Sequence, residues 1–356
     1  MLQTEKINCF LELGKFLSQF EFDNCKAKDN VIGNALFFEP FQDLIKLSQS
    51  HNGWYTPENV FFAIKSWSRA LTSENLDKWL VKYNIPNDTS ANNAKAVAII
   101  LAGNIPLVGF HDFLSVLLSG KKVIVKTSSN DQYLLPFLAK YLIGCNQNLV
   151  KFITFSEGKL EGYDAVIATG SNNTARYFEY YFRDKPSIIR KARNSVAVLD
   201  GNESREQMIA LGEDIFRYFG LGCRSVSKIF VPRDYNFDLF FNGIFSYQDV
   251  IKYEKYANNY DYNKAVFLMS NFKLLDNEFL TIKEDESYAS PIASVFYEFY
   301  DDLDQLCTKL EHDTDKIQCI VSNHLVNNSI GFGHSQNPQL WDYADDVDTM
   351  EFLLKI

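Results

Sequence analysis

Two periodicities divide the chain. Up to about residue 92, apolar positions recur at helical spacing: Phe61, Ile64, Trp67 and Leu71 stand three or four residues apart, the stripe of a half-buried helix. Thr56-Pro57-Glu58-Asn59 opens that helix, with Thr56 as N-cap and Pro57 at the first position. Residues 73–83 predict a second short amphipathic helix, which Pro86-Asn87-Asp88 closes. From Ala94 the period changes. AVAIILAG (96–103) is a continuous small-and-branched run ending in glycine, the mark of a strand buried on both faces. A helix over 106–120, a strand over 121–129 and a helix over 133–143 follow. Next come an extended 149–155, a strand over 164–171 and a helix over 174–182. Strands alternating with helices of this length predict an α/β, doubly wound parallel sheet.

The pattern continues beyond this. SVAVLDG (195–201) reads as a strand, 203–218 as an amphipathic helix, FGLGC (219–223) as a glycine-rich loop, and SKIFVP (227–232) as a strand. Further strands are expected at AVFLM (265–269), 293–300 and 317–322, with a helix over 302–310. A tail from residue 327 is irregular, then briefly helical. The expected division is a cofactor-binding domain over 1–198 (a helical part, 1–93, and a parallel core, 94–198). A catalytic domain over 199–326 and the tail, 327–356, complete it.

Composition narrows the function classes. The chain has 356 residues with 35 basic and 45 acidic side chains, a net charge of −10. That balance argues against a protein devoted to nucleic-acid backbones. The longest apolar run, 96–102, is far shorter than the roughly 20 residues that span a bilayer, and the first residues lack the pattern of a signal peptide. Six scattered cysteines without C-x-x-C spacing suit a reduced, cytoplasmic setting. The 30 Phe and 19 Tyr either line a ligand site or fill the core.

In open parallel sheets, ligands bind at the carboxyl ends of strands. Four polar stretches stand out there: Gly103-Asn104, Lys126-Thr127-Ser128-Ser129, Thr169-Gly170-Ser171, and the loop carrying Cys223. Gly220 and Gly222 would expose the Cys223 thiol, and Arg224 would favour its thiolate; a small apolar cysteine in a turn fits the spacing equally. His111 sits on the helix that begins near Asn104, and no histidine pair has metal-ligand spacing. Arg190, Lys191 and Arg193 form either a solvated basic face or a phosphate-binding edge.

The ordered set N-I-P-L (104–107), V-I-V-K-T-S-S, A-T-G-S-N and G-L-G-C-R-S resembles the aldehyde dehydrogenase superfamily. Within it the chain is most similar to the acyl-CoA reductases of the LuxC family. N-G-W-Y-T-P-E-N-V, R-K-A-R-N-S-V-A-V-L and W-D-Y-A-D-D-V-D-T-M-E-F-L support that likeness. The resemblance implies a Rossmann-type cofactor domain and an α/β catalytic domain bearing the nucleophile. It implies reduction of a fatty acyl-CoA to aldehyde and free CoA through an S-acyl-cysteine. Cys223 matches the nucleophile and Asn104 the oxyanion-hole asparagine. Lys126 matches the lysine on the adenosine ribose, with Thr127, Ser128 and Thr169 beside the cofactor and Gly170-Ser171 as the pyrophosphate turn. Ser129 stands where NAD-preferring relatives carry glutamate, which implies NADPH, with NADH also possible. The hydrolytic general base would fall at Ile188 or Ile189, where there is no carboxylate. A ribose-contacting glutamate would fall at Ser287, one position from Glu286.

The resemblance also implies a homo-oligomer, an acyl-CoA or acyl-protein donor, and an acyl-protein ligase as partner. The competing readings are a cysteine acyltransferase or thioesterase without a nicotinamide, and a non-catalytic acyl-binding protein.

Overall fold

A computed structural model describes all 356 residues. The chain divides into two units, residues 1–191 with 339–356, and residues 192–338. The first unit opens with four helices: α1 (Gln3–Leu17), α2 (Asn34–His51), α3 (Pro57–Ala70) and α4 (Ser73–Leu80). Helix α3 starts where the sequence says it should, Thr56 Oγ1 accepting from the amide of Asn59. A β/α succession follows: β1 (Ala96–Ile100), α5 (Phe110–Leu118), β2 (Lys122–Lys126), α6 (Leu134–Cys145), β3 (Ile153–Phe155), β4 (Ala165–Thr169), α7 (Asn172–Tyr181) and β5 (Ser187–Arg190). All five strands run parallel in the order β3-β2-β1-β4-β5. Val97, Ala98 and Ile99 are fully buried, as the uninterrupted apolar run requires.

Part of the aromatic richness goes into this unit's core. Phe16 stacks on Tyr141 at 4.3 Å and meets Phe20 at 5.1 Å and Phe41 at 5.6 Å, while Phe41 stacks on Phe137 at 4.9 Å. Such pairs add about 0.5–1.5 kcal/mol each beyond their buried area.

The second unit contains β6 (Asn194–Val198), α8 (Arg205–Phe216), β7 (Val226–Pro232), α9 (Phe237–Ile244), α10 (Glu254–Met269), β8 (Leu274–Asp276), β9 (Thr281–Glu284), β10 (Ser294–Tyr300), α11 (Leu303–His312) and β11 (Ile317–Ser322). Its six-stranded sheet has the order β11-β6-β7-β10-β9-β8, parallel except for the edge strand β8. Helix α12 (Thr349–Lys355) belongs with the first unit, where Met350 and Leu353 enter the core.

Three expectations change. AVFLM is the last turn of α10 rather than a strand. Tyr256, Tyr260 and Phe267 are its buried residues, at helical spacing, whereas Val266, Leu268 and Met269 are exposed; a five-residue apolar run alone carries no period. The division falls at 191/192 rather than 198/199, because β6 pairs with β7 and β11 in the second sheet. The tail is no separate element: residues 327–338 lie in the second unit and 339–356 in the first.

The basic cluster also separates. Arg190 is buried and closes an ion pair with Asp112 at the start of α5, and its other arm donates to Thr349 Oγ1 at 3.0 Å. Lys191 pairs with Glu179 at 2.7 Å, and Arg193 donates to the Thr314 carbonyl at 3.0 Å. Neither a shared phosphate edge nor a bare solvated face describes them. Removing one partner of a buried pair strands the other charge, at a cost of about 3–5 kcal/mol. Arg190→Ala should therefore lose that much in urea denaturation, and a loss below about 1 kcal/mol would show that the pair holds nothing.

Candidate active site

In the first unit β1 lies between β2 and β4, so the chain leaves it toward opposite edges of the sheet. This is the switch point at which parallel α/β sheets bind ligands. The carboxyl ends of those three strands carry the sequence-predicted residues side by side. The amide of Leu101 donates to the Lys126 carbonyl at 3.0 Å, joining the ends of β1 and β2. A side chain at Gly103 would bring its Cβ to 2.6 Å from Ser128 Oγ, so only glycine permits this approach. Ser128 Oγ accepts from the Asn130 amide at 3.2 Å, and Lys126 Nζ donates to the Gly158 carbonyl at 3.0 Å. Thr127 is half-buried and Ser129 exposed. Thr169 ends β4, and the Gly170 amide donates to the Arg190 carbonyl at 3.2 Å. Ser171 caps α7, its Oγ accepting from the Thr174 amide at 3.3 Å. The positive end of that helix dipole thus faces an exposed serine turn.

Asn104 follows β1 in a segment braced from outside the sheet. Asn52 Nδ2 donates to the carbonyls of Gly103 at 3.2 Å and Asn130 at 3.3 Å, and its Oδ1 accepts from the Trp54 amide at 3.1 Å. The Tyr55 hydroxyl lies 3.0 Å from the Ile105 carbonyl and 3.2 Å from Asp131 Oδ2. Burial raises the Asp131 carboxyl above its ordinary range. The N-G-W-Y motif is therefore a brace for the Asn104 segment, a role its sequence alone did not disclose. His111 is occupied structurally: its Nε2 lies 2.8 Å from the Leu340 carbonyl, with its ring against Trp79 and Tyr343.

In the second unit Cys223 is exposed. Helix α8 ends at Phe216, and Tyr218, Phe219 and Gly220 then take left-handed backbone at φ +55°, +58° and +75°. The chain turns, the Ser225 amide donates to the Gly222 carbonyl at 3.0 Å, and β7 begins at Val226. The Cys223 loop accordingly enters a strand at its amino end rather than leaving one at its carboxyl end, which corrects the expectation. Ser195 Oγ, at the start of β6, donates to the Cys223 carbonyl at 2.9 Å and lies 3.0 Å from Cys319 Sγ. Burial pushes the Cys319 thiol up to about 11, against the opposing pull of Arg224. Phe219 and Gly220 also border a small, shallow pocket lined further by Val226, Tyr256, Pro291 and Ile292.

Ile188 and Ile189 both lie within β5, the first buried and the second half-buried. Ser287 and Glu286 are exposed, and the Glu286 carbonyl accepts from Lys228 Nζ at 2.8 Å. No disulfide joins the six cysteines, no group of His, Cys, Asp and Glu has a metal-holding arrangement, and no helix is long and apolar enough to cross a membrane.

Residues 72–239 match the family described as acyl-CoA reductase (LuxC). That segment is a little under half of the chain. A long-chain acyl-protein thioester reductase of Aliivibrio fischeri is 25% identical over 215 residues, 55% of this chain and 43% of that protein. The LuxC likeness thus spans less than half of that relative's length. Among solved structures, the aldehyde dehydrogenase KauB of Pseudomonas aeruginosa matches with a TM-score of 0.64 at 14% identity, over 90% of this chain and 72% of that one. A Mycobacterium tuberculosis aldehyde dehydrogenase complexed with NAD+ gives a TM-score of 0.62 at 13% identity, over 90% and 73%. The fold is that of the aldehyde dehydrogenases.

Asn52→Ala removes a side chain that serves two carbonyls and one amide. It should cost about 1–3 kcal/mol in urea denaturation, the range for buried polar groups left unserved. A stability equal to the parent's would show that water replaces the brace.

Proposed function

We propose that this LuxC-type protein reduces an acyl thioester to an aldehyde, with Cys223 as nucleophile and a nicotinamide dinucleotide as the source of hydride. The observation that carries this reading is the exposure of Cys223 on a turn whose preceding residues, Tyr218 and Phe219, are buried in left-handed backbone. Strain kept at one loop suits a group that must be presented to a substrate.

The Cys223 thiolate adds to the thioester carbonyl carbon, and a side-chain amide donates to the oxyanion that develops, the role that the resemblance implies for Asn104. Collapse breaks the bond to the donor's sulfur, which leaves as a thiol after taking a proton, and Cys223 holds the acyl group. When bound, the nicotinamide supplies hydride to the acyl carbon. Cys223 then carries a thiohemiacetal, whose collapse frees the aldehyde and returns the thiolate. Without a carboxylate at Ile188 or Ile189, no side chain there would activate water to release the acyl group as an acid.

The strand ends of the first unit fit a dinucleotide. The switch point beside β1, the Gly170-Ser171 turn at the start of α7 and the Lys126 ammonium offer the donors and positive charge that phosphates and a ribose take. Thr127, Ser128 and Thr169 stand at the same ends. Ser129 is exposed and neutral, so it would not repel a 2′-phosphate, which favours NADPH while leaving NADH usable. The donor is acyl-CoA or an acylated protein, the second being what the Aliivibrio fischeri relative's name describes. A reduced, cytoplasmic setting, a homo-oligomer and a partner ligase that activates acyl groups complete the proposal.

Incubation with acyl-CoA but no nucleotide should add one acyl mass, mapped to the peptide containing Cys223 and absent from Cys223→Ala. Label on the alanine variant would remove Cys223 as the acylated residue, and steady release of free acid would favour a thioesterase instead. Ser129→Glu should lower the ratio of NADPH to NADH efficiency by at least about tenfold, roughly the 1.4 kcal/mol of one added charge repulsion. An unchanged ratio would remove Ser129 from the ribose site.

A further inference from the structure

Helix α8 carries one acidic group whose place in the fold is unusual. Asp214 is fully buried, two residues before the helix ends. Its Oδ2 accepts from the Gly333 amide at 2.6 Å and its Oδ1 from the Ser335 amide at 2.9 Å. The two bonds grip the backbone on both sides of His334. One residue further, Gln336 Nε2 donates to Ser225 Oγ at 3.3 Å, and Ser225 in turn closes the Cys223 turn through its amide to Gly222. A chain of hydrogen bonds thus runs from a buried carboxylate to the loop that presents the nucleophile. Neither the oxyanion group nor the strand-end residues take part in it.

We propose that Asp214 is a positioning residue for the acyl-transfer step: it fixes the 333–336 turn, which holds the Cys223 loop through Gln336 and Ser225. The inference rests on Cys223 being the reactive thiol. A carboxylate suits the task because it accepts from two divergent amides at once, whereas an amide or a protonated acid has only one such oxygen without a competing hydrogen. Burial raises the Asp214 carboxyl to about 6. The raised value means that folding favours the protonated acid. The stability from this group is full below its unfolded value, about 4, and is lost as pH rises through 6. At neutral pH the ionised group is therefore held at a cost to stability while it makes the stronger pair of bonds. The other titratable groups around it are Glu213 on α8, Tyr247 after α9, Cys319 on β11 and His334 within the gripped turn.

The test is alkylation of Cys223 by iodoacetamide, mapped by mass spectrometry from pH 5 to 9, which needs neither acyl donor nor nucleotide. The parent should show, besides the thiol's own ionisation, a loss of rate below about pH 6 as Asp214 protonates. Asp214→Asn should react about tenfold more slowly at pH 7.5 and lack the lower inflection, while Asp214→Glu recovers part of the rate. Gln336→Leu cuts the chain at its other end without touching the buried carboxylate, and should also slow alkylation. Parent-like rate and pH profile in a folded Asp214→Asn, or in Gln336→Leu should the first variant not fold, overturns the proposal. Since alkylation reads only the thiol and its loop, absence of acyl reduction would sink the proposed function and leave this result standing.

Discussion

The backbone from Tyr218 to Gly220 constrains everything around Cys223. Two non-glycine residues in succession take left-handed conformations, each costing about 1–2 kcal/mol. Both of their side chains are buried, and burying a large apolar side chain returns about 1.5–3 kcal/mol. The gain is therefore large enough to offset the strain. Phe219 meets Tyr253 at 5.1 Å and Tyr256 at 6.1 Å, and Phe216 just before the turn stacks on Tyr247 at 5.2 Å. These aromatic contacts hold the turn, the turn ends α8, and the short loop that remains leads through Cys223 into β7. An aromatic-rich sequence thereby fixes a thiol at the surface without a long flexible loop.

The first unit solves a different problem, the convergence of three strand ends. Close approach of Gly103 to Ser128 brings the ends of β1 and β2 together, and Asn52 and Tyr55 hold the segment that follows. The buried Arg190–Asp112 pair ties the end of β5 to the first turn of α5, and through Thr349 to α12. Charges that the composition left open for a phosphate are thus spent on structure. The residues that remain exposed, Ser129 and Ser171, are neutral. Lys126 supplies the positive charge at the end of β2.

Much of the fold was legible because β/α alternation leaves a strong mark. Runs such as 96–102 admit no polar face, and the Thr56-Pro57 start of α3 formed as its chemistry requires. AVFLM failed because five apolar residues fit a strand and the end of a helix equally, and only the spacing of Tyr256, Tyr260 and Phe267 decides. The short strands β5, β8 and β9, of three or four residues, were not read from the sequence. At the site, the glycine-rich loop and the polar strand ends were visible as residue types. Asn52, Tyr55, Ser195 and Asp214 were not, since each acts through backbone groups distant in sequence. N-G-W-Y was seen as a motif, but nothing local told what it braces.

The most direct measurement is a single turnover. Enzyme acylated at Cys223 is freed of excess donor and mixed with NADPH, and the products are separated. One equivalent of aldehyde per acyl group, with matching NADPH oxidation and return of the thiol, is the predicted result. Acyl groups that stay on the protein, or leave only as free acid, would contradict reduction through Cys223.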